Sequence, residues 1–144
     1  MDSYTAQNVI NGTWAEVWVD NDYMAEATAL EAKLKLDTSE VPMLRTWYKG
    51  YKVTGITGSG TLKLNKVSSY FINKVINNIR QGKATRASII TKLDDPEAFG
   101  AERILLKDCV FTELTLADWE AGKNLEESIP FSFSECEILE SIEA

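Results

Sequence analysis

Only one stretch of this 144-residue chain repeats with helical period. Phe71, Ile72, Val75, Ile76 and Ile79 form an apolar stripe, Ser68 or Ser69 stands where an N-cap belongs, and Gly82 suits the position just past the helix end. Asn73, Lys74, Asn77, Asn78 and Arg80 are left to face water or a partner. Most of what remains alternates with a period of two. The spacing predicts strands near 13–20, 30–36, 61–67, 87–93, 103–108, 109–117 and 129–133, the fifth and sixth joined through a bend. Many strands, one helix and no β-α-β rhythm predict a mainly β fold, an antiparallel sandwich or barrel with one flanking α-helix. No internal repeat or linker divides the chain, so residues 1–144 are expected to form a single domain.

Individual segments carry more detail. In 30–36, Leu30, Ala32, Leu34 and Leu36 face one way while Glu31, Lys33 and Lys35 face the other. In 13–20, Trp14 and Trp18 oppose Val17 and Val19, so the strand is expected to be covered on one side by core and on the other by something else. Asp20-Asn21-Asp22 lacks the glycine and distal Glu of a calcium loop and reads as a hairpin tip. Residues 41–60 hold Pro42, Trp47, Tyr48, Tyr51 and four glycines, which predicts a long loop or extended hairpin, and long ordered loops are usually functional. Residues 135–144 read as an acidic C-terminal tail in which Ile138, Leu139 and Ile142 alternate with glutamates.

Charge is segregated along the chain. Residues 41–93 contain no Asp or Glu but carry +10, while 1–40 carry −6 and 94–144 carry −11, for a net −7. A cationic middle between anionic ends suits binding to a polyanion, or contact with the acidic segments of other copies. The second reading agrees better with a sequence pI near 4.7. The first would be a cytosolic β-sandwich module for nucleic acid or a protein ligand, with Trp47, Tyr48 and Tyr51 as stacking platforms.

Residues that carry chemistry are scarce. The chain has no histidine, which removes the usual general base, the Ser-His and Cys-His pairs and the commonest metal ligand. The glycines from Gly55 to Gly60 precede a strand rather than a helix, so they indicate close packing or flexibility at a loop base, not a phosphate cradle. Asp94, Asp95 and Glu97 lie beside Pro96 in a polar turn and read as solvated carboxylates. Cys109 and Cys136 stand singly and read as buried thiols. Asn11-Gly12-Thr13 fits the glycosylation pattern by chance, because no signal peptide precedes it. The absence of a long apolar run argues against membrane spanning or anchoring. No enzyme, metal or cofactor is expected.

Several stretches, in order, resemble the tail tube proteins of contractile-tailed phages, including defective prophages and phage-tail-like bacteriocins of Gram-positive bacteria. They are Ala6-Gln7-Asn8-Val9-Ile10-Asn11-Gly12, then Trp18-Val19-Asp20, then Tyr51-Lys52-Val53-Thr54-Gly55 leading into Gly58-Ser59-Gly60-Thr61-Leu62 and Lys66-Val67-Ser68-Ser69. Later come 102–108, Glu-Arg-Ile-Leu-Leu-Lys-Asp, and 125–133, Leu-Glu-Glu-Ser-Ile-Pro-Phe-Ser-Phe.

The resemblance implies a small β-sandwich or barrel with a flanking helix, shared with type VI secretion tubes. It implies hexameric rings whose sheets join into an inner barrel, stacked into a hollow conduit that is driven through a target envelope. The implied partners are further copies, a tail sheath protein, a tape-measure protein and a baseplate initiator, with DNA only as transient lumen cargo. The implied location is a virion or bacteriocin tail assembled in the bacterial host cytoplasm, and the lumen is expected to be electronegative. On this footing, the expected contacts set Arg45, Lys49 and Lys52 against Glu135, Glu137, Glu140 and Glu143 of another copy, with Trp47, Tyr48 and Tyr51 as anchors.

Overall fold

The computed structural model describes residues 3–143. Strand β1 (Ala15–Val19) turns through Asp20 and Asn21 into the two-residue β2 (Asp22–Tyr23). Both turn residues have positive φ, 49° and 70°, which suits the twist of a tight hairpin and which Asp and Asn tolerate best after glycine. The hairpin tip expected at Asp20-Asn21-Asp22 is therefore present. Next come the two long arms β3 (Ala27–Val41) and β4 (Gly50–Asn65), and the helix α1 (Tyr70–Arg80). Four more strands complete the fold: β5 (Arg86–Leu93), β6 (Glu102–Phe111), β7 (Glu126–Phe133) and β8 (Glu135–Glu140).

All pairings are antiparallel, and the sheet order is β2-β1-β5-β6-β7-β4-β3, with β8 also on β6. β7 and β8 form nearly one run bent at Ser134. Phe131 and Ser132 pair with the end of β6, and β8 then pairs back along β6 as far as Arg103. Opposite the bend, Asp108 on β6 has φ 52°, and the β5–β6 register shifts between Ala87 and Ile89. These irregularities turn the sheet over on itself. Val17, Val19 and Ile89 of one layer thus meet Leu62, Leu64, Ile129 and Phe131 of the other in one core cluster. The bend expected within 103–117 falls at Asp108, but the strand ends at Phe111 rather than near 117.

Local pattern explains which faces are buried. On β7, Glu127, Ile129, Phe131 and Phe133 point inward while Glu126, Ser128 and Ser132 are exposed. Gly58 and Gly60 on β4 lie against the rings of Phe133 and Phe131, where a Cβ would collide. The glycine-rich stretch expected at a loop base is thus strand, and close packing is its reason. Helix α1 buries Phe71, whose ring meets Tyr70 and Phe111 edge-on at 5.1 and 5.5 Å. Ser69 occupies the N-cap but makes no side-chain capping bond, and Gly82 has the positive φ (71°) expected past the helix end.

The β1–β2 turn also holds the helix. Lys74 Nζ donates to Asp20 Oδ2 at 2.5 Å, the Ser88 N–H donates to Asp20 Oδ1 at 2.9 Å, and the Tyr70 hydroxyl donates to Asp22 at 2.8 Å. Burial disfavours the charged form of Asp20, but the Lys74 and Ser88 donors outweigh it and hold its carboxyl below the usual value. Lys74 is likewise raised: burial opposes its charge, and its bond to Asp20 prevails. Asp95, expected as a solvated carboxylate, is buried and accepts the Asn11 and Glu97 N–H groups at 2.9 Å each, clipping the N-terminal segment to the fold.

Candidate assembly surface

β3 and β4 are too long for the core they serve. β4 pairs with β7 only from Gly58 to Asn65, so residues 50–57 pair with β3 alone and project as a two-stranded ribbon. Of the two expectations for 41–60, the extended hairpin is the one observed. Residues 50–60 are strand, and only 42–49 form the connecting tip. The acidic tail needs a similar correction, because 135–140 is strand β8, held by backbone pairing to β6.

The ribbon is amphipathic without a core of its own. Leu34 stands opposite Gly58 and Leu36 opposite Ile56. A bulge between Asp37 and Thr38 leaves Thr54 out of register, which brings Val53 and Tyr51 opposite Thr38 and Glu40. The bulge therefore rephases β4, and Val53 and Tyr51 join the face of Leu34, Leu36 and Ile56. All five are exposed. The other face carries Glu31, Lys33, Lys35, Asp37 and Lys52, together with Thr57 and Ser59. A contiguous exposed apolar face with a polar reverse marks an interaction surface.

At the tip, Arg45 has φ 61°, Trp47 is fully exposed (101%) and Leu44 nearly so (95%). Tyr48 is also exposed, and Lys49 pairs with Glu40 across the hairpin at 3.5 Å. The structure thus gathers Arg45, Trp47, Tyr48, Lys49, Tyr51 and Lys52 at the distal end of the ribbon. It puts the acidic candidates elsewhere. Lys107 meets Glu137 at 3.0 Å and Glu135 at 3.9 Å, and its ammonium is raised above the usual lysine value by the Glu137 bond and then by Glu135. Glu140 lies opposite Arg103, and Glu143 is exposed beyond the strand. Among the described residues, no ion pair joins the two groups within one chain.

Sequence reasoning missed the apolar face of the ribbon. The alternation of 30–36 was legible, but in 51–56 Tyr51 and Val53 fall out of phase with Ile56, and only the bulge at Thr54 returns them to one face. Cysteine placement also differs from expectation. Cys109 is buried, and burial pushes its thiol up to about 12, whereas Cys136 is exposed on β8. Among the described residues, no cluster of three His, Cys, Asp or Glu side chains could hold a metal, and no helix is long and apolar enough to cross a membrane.

The fold is similar to a chain of the anti-feeding prophage tube-terminating cap, at TM-score 0.72 and 15% identity over 97% of both chains. It is also similar to a chain of an extracellular contractile injection system, the PVC sheath–tube complex in its extended state. There the TM-score is 0.68 at 15% identity, covering 94% of this chain and 98% of that one. These likenesses define the class of fold, a mainly antiparallel β structure with one helix, shared with those chains. XkdM of the phage-like element PBSX, from Bacillus subtilis strain 168, is 30% identical over 139 residues, 95% of each chain. The family model for phage tail tube proteins matches residues 2–140, and the chain belongs to that family.

Proposed function

We propose that this chain is the inner-tube subunit of a contractile phage tail or a phage-tail-like bacteriocin. Copies close into hexameric rings, rings stack into a hollow conduit, and the conduit is driven through a target envelope. A sheath surrounds it, a tape-measure protein occupies it during assembly, a baseplate initiates it, and DNA passes through only where a genome is carried. Assembly takes place in the host cytoplasm. The observation that carries this reading, beside membership of the family, is the projecting ribbon whose apolar face stays exposed among the described residues. A conduit subunit needs such protrusions, because stacking and ring closure both use heterologous contacts between unlike surfaces.

The bore would be lined by the outer face of β3, β4 and β7. Ser59 and Thr61 there lie beside Ser132 and Pro130 on β7 and Lys33 and Glu31 on β3, with Lys63 beside Ser128. Short hydroxyls with mixed charge give cargo no apolar foothold.

Electron microscopy of negatively stained protein over a concentration series, with light scattering, tests the proposal. Rings or hollow tubes of uniform width are the expected result. A monomer at every concentration that instead binds single-stranded DNA at low salt would favour the binding-module alternative.

A further inference from the structure

Strand β6 accompanies β7 only where Val110 and Phe111 meet Ser132 and Phe131, so the first half of β7 has β4 on one side and no β6 partner on the other. The irregular connection 112–125 crosses there, and its Thr112 N–H donates to the Pro130 carbonyl at 3.1 Å. Between connection and strand lies a pocket of about 300 Å³, bounded by Lys66, Leu116, Asp118, Trp119, Leu125 and Glu127. Alternation along β7 turns Glu127 inward with Ile129 and Phe131, and its side chain is only 5% exposed. Its Oε1 is buried and, among the described residues, receives no hydrogen bond. Lys66 Nζ stands 3.8 Å from Oε2, an ion pair too long for a hydrogen bond. A buried carboxylate is costly unless N–H or O–H groups donate to it.

We propose that this pocket receives an arginine side chain of a partner protein, its guanidinium donating to Glu127. Charge, donor geometry and the pocket mouth together select that group. Asp118, Glu126 and Glu127 line the pocket with Lys66 as their one cation, which leaves two carboxylates there without a counter-charge. An ammonium already stands near Oε2. A planar guanidinium brings five N–H donors, enough to reach Oε1 and a second carboxylate together. Leu116 and Trp119 at the mouth are both exposed, so an alkyl stem has an apolar surface to lie along and the indole a cation to cover. Oε1 is closed to solvent, and the donor reaches it as these mouth side chains give way. The pocket is complete within one chain and does not depend on tube assembly.

Fluorotryptophan incorporated at Trp14, Trp18, Trp47 and Trp119 gives four fluorine resonances, and Trp119→Phe identifies the one at the pocket. Titration of the wild-type chain with N-acetylarginine amide at constant ionic strength is expected to shift that resonance saturably and leave the others in place. The lysine analogue should bind more weakly, and the uncharged citrulline analogue should not bind. Glu127→Gln keeps the shape and removes the charge. It should weaken arginine binding about tenfold or more, the loss expected for a hydrogen bond to a charged group. An unmoved Trp119 resonance, or an equal response to arginine and either analogue, would overturn the proposal, as would full affinity in a folded Glu127→Gln chain. Should Glu127→Gln not fold, the order of the three analogues on the wild-type chain decides alone.

Discussion

Leu36 faces Ile56 across the ribbon, and neither side chain has a core to enter: they remain 53% and 63% exposed. Burial inside the subunit therefore cannot explain why they are apolar. Replacing both with serine is expected to leave unfolding stability within about 0.5 kcal/mol, as for most surface changes. The same double variant should fail to form rings or tubes. Thermal melts and electron microscopy of one preparation check both halves of this expectation.

Charge at the ribbon end gives a second test. Lys49 already pairs with Glu40, an exposed contact of about 0–1 kcal/mol at most, so Lys49→Glu with Lys52→Glu should fold normally. Tube yield is expected to fall sharply, most visibly at low salt where exposed charges are least screened. Undiminished yield with a normal melt would remove these lysines from the interface.

The grip of Asp20 on Lys74 predicts how stability depends on pH. The Asp20 carboxyl is held below its unfolded value of 3.8, so its contribution is complete above that value and is lost as pH falls through the folded pKa. Lys74 is raised above 10.5 and Tyr70, chiefly by burial and then by its bond to Asp22, above 10.0. Their contributions are complete below those values and are lost as pH rises through the folded pKa. Asp20→Asn should thus flatten the acid limb of a urea-midpoint profile and leave α1 less firmly held. A wild-type acid limb unchanged by the substitution would show that Asp20 does not control it.

Gly60 leaves no room for even a methyl group. A Cβ there would meet the backbone oxygen of Glu31 and the ring of Phe131 together, and a paired strand cannot step aside. Gly60→Ala is expected to cost about 1–3 kcal/mol, the usual penalty of overpacking. Denaturant titration measures it, and Gly12→Ala, where a Cβ meets nothing within 4 Å, serves as the control.

The two thiols should also differ in reactivity. Cys109 is buried with its pKa pushed up to about 12, so at neutral pH it offers almost no thiolate. Native monomer should release one equivalent of chromophore from a disulfide reagent, and urea-unfolded protein two. Two rapid equivalents from the native chain would contradict the burial of Cys109.

Much of the fold was legible because strand and helix periods are local. The Ile129, Phe131 and Phe133 alternation marked β7, and the stripe from Phe71 to Ile79 marked α1, although Ile79 itself remains exposed. The Asp20-Asn21 turn was legible for the same reason, since left-handed backbone favours those residues wherever the chain goes. Residues 50–57 were less so. Gly50 and Gly55 there left a loop and an extended hairpin both open, and pairing with β3 makes them strand positions. Asp95 could not be placed from its polar neighbours, because one of its two partners is Asn11, which is remote in sequence.

What the sequence determined by itself was the class of structure, the charge segregation, the lack of histidine chemistry and the ordered stretches that resemble a tail tube. Each depends on residues near one another or on simple composition. Only the tertiary structure decided which apolar residues are covered. The same alternation that buries Leu62 and Leu64 leaves Leu36 and Ile56 in solvent, because β7 accompanies β4 only as far as Gly58. Burial depends on what packs opposite, and a strand's own sequence does not contain its neighbour.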